Sequence, residues 1–294
     1  MQARERLDRE YEQLRQQQID PGRRGPTPAQ WQALADGYRA ALRNGQDVDS
    51  ARGLARALWR WSVQLHASGD PAGALEPGRQ AVAEFDAAFR KTLGWKGDEH
   101  SDAADAVLAE LLVARCDLAE AAAAAGESDE CVRILKDSRQ AGGSITMGPA
   151  SLRAMGTVHH NLSVAELNHV LDGARRGRSD LDLAAPALSA SRAVEIRQGV
   201  LAPSDPLTVW ELANTYIHYL RCLGLIEELD RAVAVTELAA KLVALHPKGP
   251  LAALGPQLRE AVGLLAAAYP SHARAFDRVL KSAGPRRGWR RRGL

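Results

Sequence analysis

The sequence predicts an all-α solenoid of stacked helical hairpins, and three observations carry that expectation. Apolar residues recur at spacings of three and four, as in Leu54, Leu58, Trp61 and Leu65 and again in Leu238, Leu242 and Leu245, with no run of strict alternation. The composition agrees with this periodicity. Ala and Leu dominate the apolar residues, Ile occurs six times and aromatics make up 5% of the chain, a balance that favours helices over a large sheet. The third observation is internal repetition. Leu93-Gly94-Trp95, Met147-Gly148-Pro149, Leu201-Ala202-Pro203 and Leu254-Gly255-Pro256 each set an apolar residue before a small one, followed in three cases by Pro. Their starts lie 54, 54 and 53 residues apart, and equal spacing of this length marks stacked supersecondary units.

Taken in order, residues 2–18 read as a short charged helix with Leu7, Tyr11 and Leu14 on one stripe. It ends at a Pro- and Gly-containing linker that cannot sustain a helix. Thr27-Pro28 with Gln30, Asp70-Pro71 and Asp205-Pro206 each place a capping side chain before a proline at the first helical position. Internal breakers at Gly69-Asp70, Gly126-Glu127, Asp172-Gly173 and Gly224 split each repeat into two helices, giving about ten to twelve helices in all. The expected organisation is a charged N-terminal helix over 1–20, a linker over 21–26, a repeat domain over 27–284 and a basic, disordered tail over 285–294.

The 294 residues carry 38 Lys+Arg against 36 Asp+Glu, with 46% hydrophobic and 25% charged residues. This is the make-up of a folded globular chain and excludes intrinsic disorder and collagen-like structure. Cys116, Cys131 and Cys222 form no C-x-x-C pair, so neither a disulfide framework nor a zinc ribbon is legible. The opening MQARERLDREYE has no apolar core of a secretory leader, and the longest apolar runs, near Val107 and Val262, fall short of a membrane span. A cytoplasmic location and no transmembrane segment are expected.

The chain has no Walker A loop, dinucleotide fingerprint, H-E-x-x-H or nucleophile elbow, so neither catalysis nor a cofactor is expected. Glu166-x2-His169, with His159 and His160 two turns earlier, is half of the arrangement used by helical di-iron proteins. That site needs the motif twice. A helical metalloprotein using Glu166 and His169 is therefore the enzymatic alternative, against a reading of both as surface or groove residues.

Within this framework the chain resembles the tetratricopeptide repeat (TPR) family, in its kinesin light chain-like variant. The family's first-helix pattern stands as Trp31-x2-Leu34-Ala35-x2-Tyr38 and again as Leu212-Ala213-x2-Tyr216, and its second-helix small positions as Ala74 and Ala81. MGPASLRAMGTVHHNLS and LAPSDPLTVWELANTY look like the kinesin light chain style, in which an apolar-Gly-Pro turn leads into the first helix. The period near 54 exceeds the 34 usual for the family, and Gly78 stands where a large aromatic is common. The resemblance implies a TPR-like right-handed superhelix of helical hairpins, with first helices on the concave side, that acts as a protein- or peptide-binding scaffold. Family members paired with signalling or transcription modules imply a second role, a peptide-responsive regulatory sensor.

Carrying the family's concave positions onto this sequence implies a peptide-binding set. The helix around Trp61-Ser62 supplies Arg56, Trp59, Arg60 and His66. The helix around Leu162-Ser163 supplies Thr157, His160, Asn161, Val164 and Asn168, and that around Leu212-Ala213 supplies Trp210, Asn214 and His218. Aromatic anchors beside amide and imidazole donors suit an extended peptide, while Trp59 and Trp210 read equally well as inter-repeat core. The tail holds Arg286, Arg287, Arg290, Arg291 and Arg292 around Trp289, a cluster suited to an anionic partner. The remainder then carries a net −3, which makes nucleic acid an unfavourable ligand for the groove.

Overall fold

A computed structural model describes residues 2–19, 25–43, 48–92, 102–143, 147–245 and 250–283. The basic tail over 285–294, Leu93-Gly94-Trp95 and most of the 21–26 linker lie outside the described residues. Among those described, the chain forms twelve α-helices, one short 3-10 turn at Pro250–Ala253 and no strand. The helices are α1 (Gln2–Ile19), α2 (Pro28–Arg43), α3 (Val48–Ala67), α4 (Pro71–Thr92), α5 (Asp102–Ala124) and α6 (Ser128–Gly143), then α7 (Pro149–Arg175), α8 (Ala185–Gly199), α9 (Pro206–Leu225), α10 (Leu229–Leu245), α11 (Leu254–Ala268) and α12 (Ala273–Ala283). The chain divides into two compact units, Met1–Asn161 and Leu162–Leu294, with the division inside α7.

In the first unit each helix from α2 to α5 packs on the next, and α1 and α5 also touch α3. Contact between alternate helices is what stacked hairpins require, because one hairpin cannot bury its apolar face alone. The charged helix α1 joins this packing. Leu7 and Leu14 are buried with Trp31, Leu34, Tyr38, Leu54 and Leu58, and Tyr11 meets Trp31 edge-on with ring centroids 5.7 Å apart. Thr27 and Gln30 form the capping box at the start of α2: the Thr27 amide donates to Gln30 Oε1 at 2.9 Å and the Gln30 amide donates to Thr27 Oγ1 at 3.4 Å.

A close approach fixes the α2–α3 pairing. Tyr38 is 1% exposed and donates its hydroxyl to Asp8 Oδ1 at 2.6 Å, while its ring edge lies against the Cα of Gly53 in α3, where any Cβ would collide with Cε1. Gly53→Ala gains helix propensity of about 1 kcal/mol but must displace a ring pinned at both ends. Overpacking of this kind costs about 1–3 kcal/mol, so the variant is expected to unfold at lower urea concentration than the wild type. Gly78, where the family favours a large aromatic, has the same role: its Cβ would lie 2.9 Å from both Leu118 Cδ1 and Ser62 Oγ.

Hairpin turns follow a common plan. Gly69, Gly126 and Gly177 take positive φ (86°, 88° and 74°) just after α3, α5 and α7, the left-handed residue that closes a helix C-terminus. The break expected at Asp172-Gly173 is displaced: α7 runs through both residues to Arg175. Gly173 instead gives Leu181 a seat on the helix, with a Cβ position only 2.6 Å from Leu181 Cδ2. Likewise Gly224 stays inside α9 beneath the Leu265 side chain, and Glu227 takes the positive φ of 59°.

The three repeated tripeptides among the described residues lie at or just before the starts of α7, α9 and α11, with different local chemistry. Pro149 is the first residue of α7. Before it, the Asp105 carboxylate of α5 accepts from the amides of Gly148 (2.9 Å), Ala150 (3.0 Å) and Ser151 (3.1 Å) and from the Ser151 hydroxyl. A Cβ on Gly148 would lie 2.6 Å from that carboxyl carbon, so the small residue of the tripeptide admits the cap. At Leu201-Ala202-Pro203, Thr208 Oγ1 donates to the Ala202 carbonyl at 2.9 Å and accepts from its amide at 3.2 Å. There the helix begins three residues later, where Asp205 caps the Leu207 amide at 3.0 Å.

The second unit centres on α9, whose Leu212, Tyr216, Leu220 and Leu223 are buried with Val235 and Ala239 of α10, Leu258 and Val262 of α11, and Phe276 of α12. No helix among the described residues is long and apolar enough to cross a membrane.

Candidate functional site

In the first unit, α3 and α5 lie side by side and present a ladder of charged and aromatic side chains. Arg52 Nε donates to Glu110 Oε2 at 2.8 Å, and Arg56 donates to Glu110 Oε1 from Nε at 3.0 Å and from Nη2 at 2.5 Å. One carboxylate thus holds two guanidinium groups. Further along, Trp59 donates its indole N–H to Asp117 Oδ2 at 2.7 Å, and its ring meets Phe85 edge-on at 6.2 Å. The Arg60 guanidinium rests 4.4 Å over the Trp59 ring, and its buried Nε has no hydrogen-bond partner. His66 Nε2 stands 3.8 Å from Glu120. The four residues expected on α3, namely Arg56, Trp59, Arg60 and His66, therefore share one half-buried face.

Asp117 is the strained member of this ladder. Burial pushes its carboxyl up to about 6, with Glu120 adding to the rise, against the Trp59 hydrogen bond and the nearby Arg60 and His66. Between the ordinary value of 3.8 and about 6 the folded state holds a proton that the unfolded chain has released. The group therefore favours folding most at low pH, and that advantage disappears as pH rises through 6. Asp117→Asn keeps an oxygen acceptor for Trp59 and removes the buried charge. Its melting temperature at pH 7.5 should exceed that of the wild type, with the gap closing by pH 4.

The other expected site residues lie on α7 and α9. Thr157, His160 and Asn161 are half-buried in the first unit, and Val164 is half-buried and Asn168 exposed in the second. Trp210 and Asn214 are half-buried on α9, with Trp210 packed against the core. His218 is a core residue, 8% exposed. Its Nε2 lies 2.8 Å from Ser163 Oγ and 3.5 Å from Cys222 Sγ, while the Ser163 hydroxyl donates to the Pro186 carbonyl at 2.6 Å. Burial, with Arg221 acting in the same direction, pulls His218 down to about 4, and burial pushes Cys222 up to about 11. Both stay neutral at pH 7 and pin α7 to α8 and α9. Glu166 and His169 face different surroundings. Glu166 is buried and accepts from Ser189 Oγ at 2.8 Å, whereas His169 is exposed. No group of three or more His, Cys, Asp or Glu among the described residues is placed to hold a metal ion.

Comparison with known proteins concerns the architecture alone. No family model matches the chain, and no curated protein matches it. Crystal structures of a Podosopora anserina protein of kinesin light chain type with nearly identical TPR-like repeats, and of a point variant of it, do match. They superpose with a TM-score of 0.50 at 17% sequence identity, covering 78% of this chain and 93% of that one. The fold is a TPR-like repeat fold. In TPR-like terms α3 and α5 are the first helices of successive hairpins, and their shared face is where side chains of neighbouring repeats meet.

The acidic half of the ladder, Glu110, Asp117 and Glu120, was not among the residues expected from the sequence, and neither was Arg52. A signal for it was present. Glu110 and Glu120 each lie 54 residues after the residue they pair with, Arg56 and His66, which is the spacing of the turn tripeptides. Translating the α3 set by one period finds both.

Proposed function

We propose that the chain is a non-catalytic TPR-like scaffold and that the α3–α5 face of its first unit holds an extended segment of a partner protein. The observation that carries this reading is the Trp59–Arg60 pair. An aromatic ring anchored through its N–H to a buried carboxylate is a rigid platform, and the cation stacked on it keeps a nitrogen without a hydrogen-bond partner. Arg52 and Arg56 are both held by the one carboxylate of Glu110, a trio of net charge +1; Arg60 stacks on Trp59 instead and offers its donors to an acidic side chain of the segment. The mixed signs along the ladder suit alternating contacts on a peptide better than a polyanion, whose binding rests on uncompensated positive charge. Trp210 and Asn214 on α9 offer the second unit a separate aromatic and amide contact of the same kind.

Selection of random displayed peptides on the whole chain tests this. Enrichment of peptides carrying Asp or Glu, with loss of their binding to Arg60→Gln, is the expected result. Enriched peptides that bind Arg60→Gln at wild-type affinity would place the site elsewhere.

A further inference from the structure

A cavity of about 230 Å³ opens between α4, α5 and α6, away from the α3–α5 ladder. Its floor is apolar, from Val82, Leu118 and Ile134, and three arginines line it: Arg79, Arg115 and Arg133. They differ in how well they are partnered. Arg79 sits 3.1 Å from both Glu127 and Glu130, and Arg133 is 3.5 Å from Glu130 and Asp137. Arg115 is the deepest, with its side chain 16% exposed. Its Nη1 is buried with no hydrogen-bond partner, and its Nη2 lies 3.9 Å from Asp86, beyond hydrogen-bond reach. Asp86 is itself engaged, with Arg90 at 2.5 Å. Burial draws the Arg115 guanidinium below its ordinary value, against the opposing pull of Asp86 and Asp137. A guanidinium has five N–H donors in a planar fork matched to a carboxylate, and leaving one buried and unpaired is costly.

We propose that this cavity binds a small monocarboxylic acid, with its carboxylate on Arg115 and its apolar body against Val82, Leu118 and Ile134. The pairing singles out one cation: Glu127, Glu130 and Asp137 engage Arg79 and Arg133, whereas Arg115 stands 3.9 Å from Asp86, which Arg90 already holds, so Arg115 is the guanidinium placed to take one carboxylate. The volume favours a small ligand. At about 230 Å³ the cavity is smaller than the ~300–1,000 Å³ of pockets for drug-sized ligands, which suits a short-chain acid. The site is independent of the peptide face, because Arg115 and the apolar floor take no part in the ladder.

Titration calorimetry of the full chain with hexanoate, and separately with hexanamide, tests the proposal. Saturable hexanoate binding is expected, with hexanamide at least about tenfold weaker because it lacks the charge that Arg115 pairs. Arg115→Gln should weaken hexanoate by about the same factor. Val82→Met, which fills the cavity and leaves Arg115 in place, should also abolish binding, and it decides the matter if Arg115→Gln does not fold. No saturable hexanoate binding, equal affinity for hexanamide, or wild-type affinity in Val82→Met would each overturn the assignment.

Discussion

Asp105→Ala is expected to be among the most destabilising single substitutions in the first unit. The carboxylate is 6% exposed and takes three backbone amides at the start of α7 together with the Ser151 hydroxyl. It thereby ties the first helix of one hairpin to that of the next. Removing it leaves several donors at a helix N-terminus without their acceptor, and each buried unsatisfied donor costs ~1–3 kcal/mol. A loss of about 3 kcal/mol or more is expected, read as a drop in denaturation midpoint. Asp105→Asn should fall between, retaining one oxygen but losing the charge that the helix N-terminus favours. The pH dependence has a definite sign. Burial raises the Asp105 carboxyl, but the hydrogen bonds from Ser151, Ala150 and Gly148 together outweigh it and hold the group below its ordinary value of 3.8. Its stabilisation is therefore complete above that ordinary value and is lost as pH falls below it. The gap between wild type and Asp105→Asn should be constant from pH 5 to 8 and shrink under acid.

The second large effect concerns binding. For peptides selected on the whole chain, Trp59→Ala should reduce affinity by about 30-fold or more, the ~2 kcal/mol typical of a central aromatic anchor. It removes the platform under Arg60, the donor to Asp117 and the edge contact with Phe85. Because that last contact belongs to the core, Trp59→Ala should also lower stability, whereas Arg60→Gln should weaken binding while leaving the denaturation midpoint nearly unchanged. A binding defect shared by both variants, with a stability defect in one, separates the platform's contact with the peptide from its part in the fold.

Much of this architecture is legible in the residues. Three- and four-residue spacing, capping signals before Pro28, Pro71 and Pro206, and tripeptides repeating near 54 residues give helical hairpins in the right number. Legibility ends where one residue type serves two purposes. Gly173 and Gly224 look like breakers, yet each lies inside a helix where a neighbouring leucine needs the space, while Gly177 and Glu227 make the turns. Nothing local distinguishes a glycine wanted for its φ from one wanted for its missing Cβ. The family's concave positions single out the α3 residues that share one face beside α5, but the same mapping puts His218 on the groove. The structure closes it beneath Ser163 and Cys222, where it completes a buried polar contact. Glu110, Glu120 and Asp117 escape local reading for a different reason, because their significance lies in a pairing between helices: the repeat spacing, applied residue by residue, brings Glu110 and Glu120 into view, while Asp117, 58 residues after Trp59, falls outside that spacing.

Hydrogen–deuterium exchange on the full chain, with and without a selected acidic peptide, tests the central claim most directly, because it reports which helices a ligand covers without altering any of them. Protection is predicted along α3 from Arg52 to His66 and along α5 from Glu110 to Glu120, and it should be absent when the same peptide is added to Arg60→Gln. Protection confined to α9 around Trp210, with α3 and α5 exchanging as in the free chain, would contradict the assignment of the peptide face to the first unit.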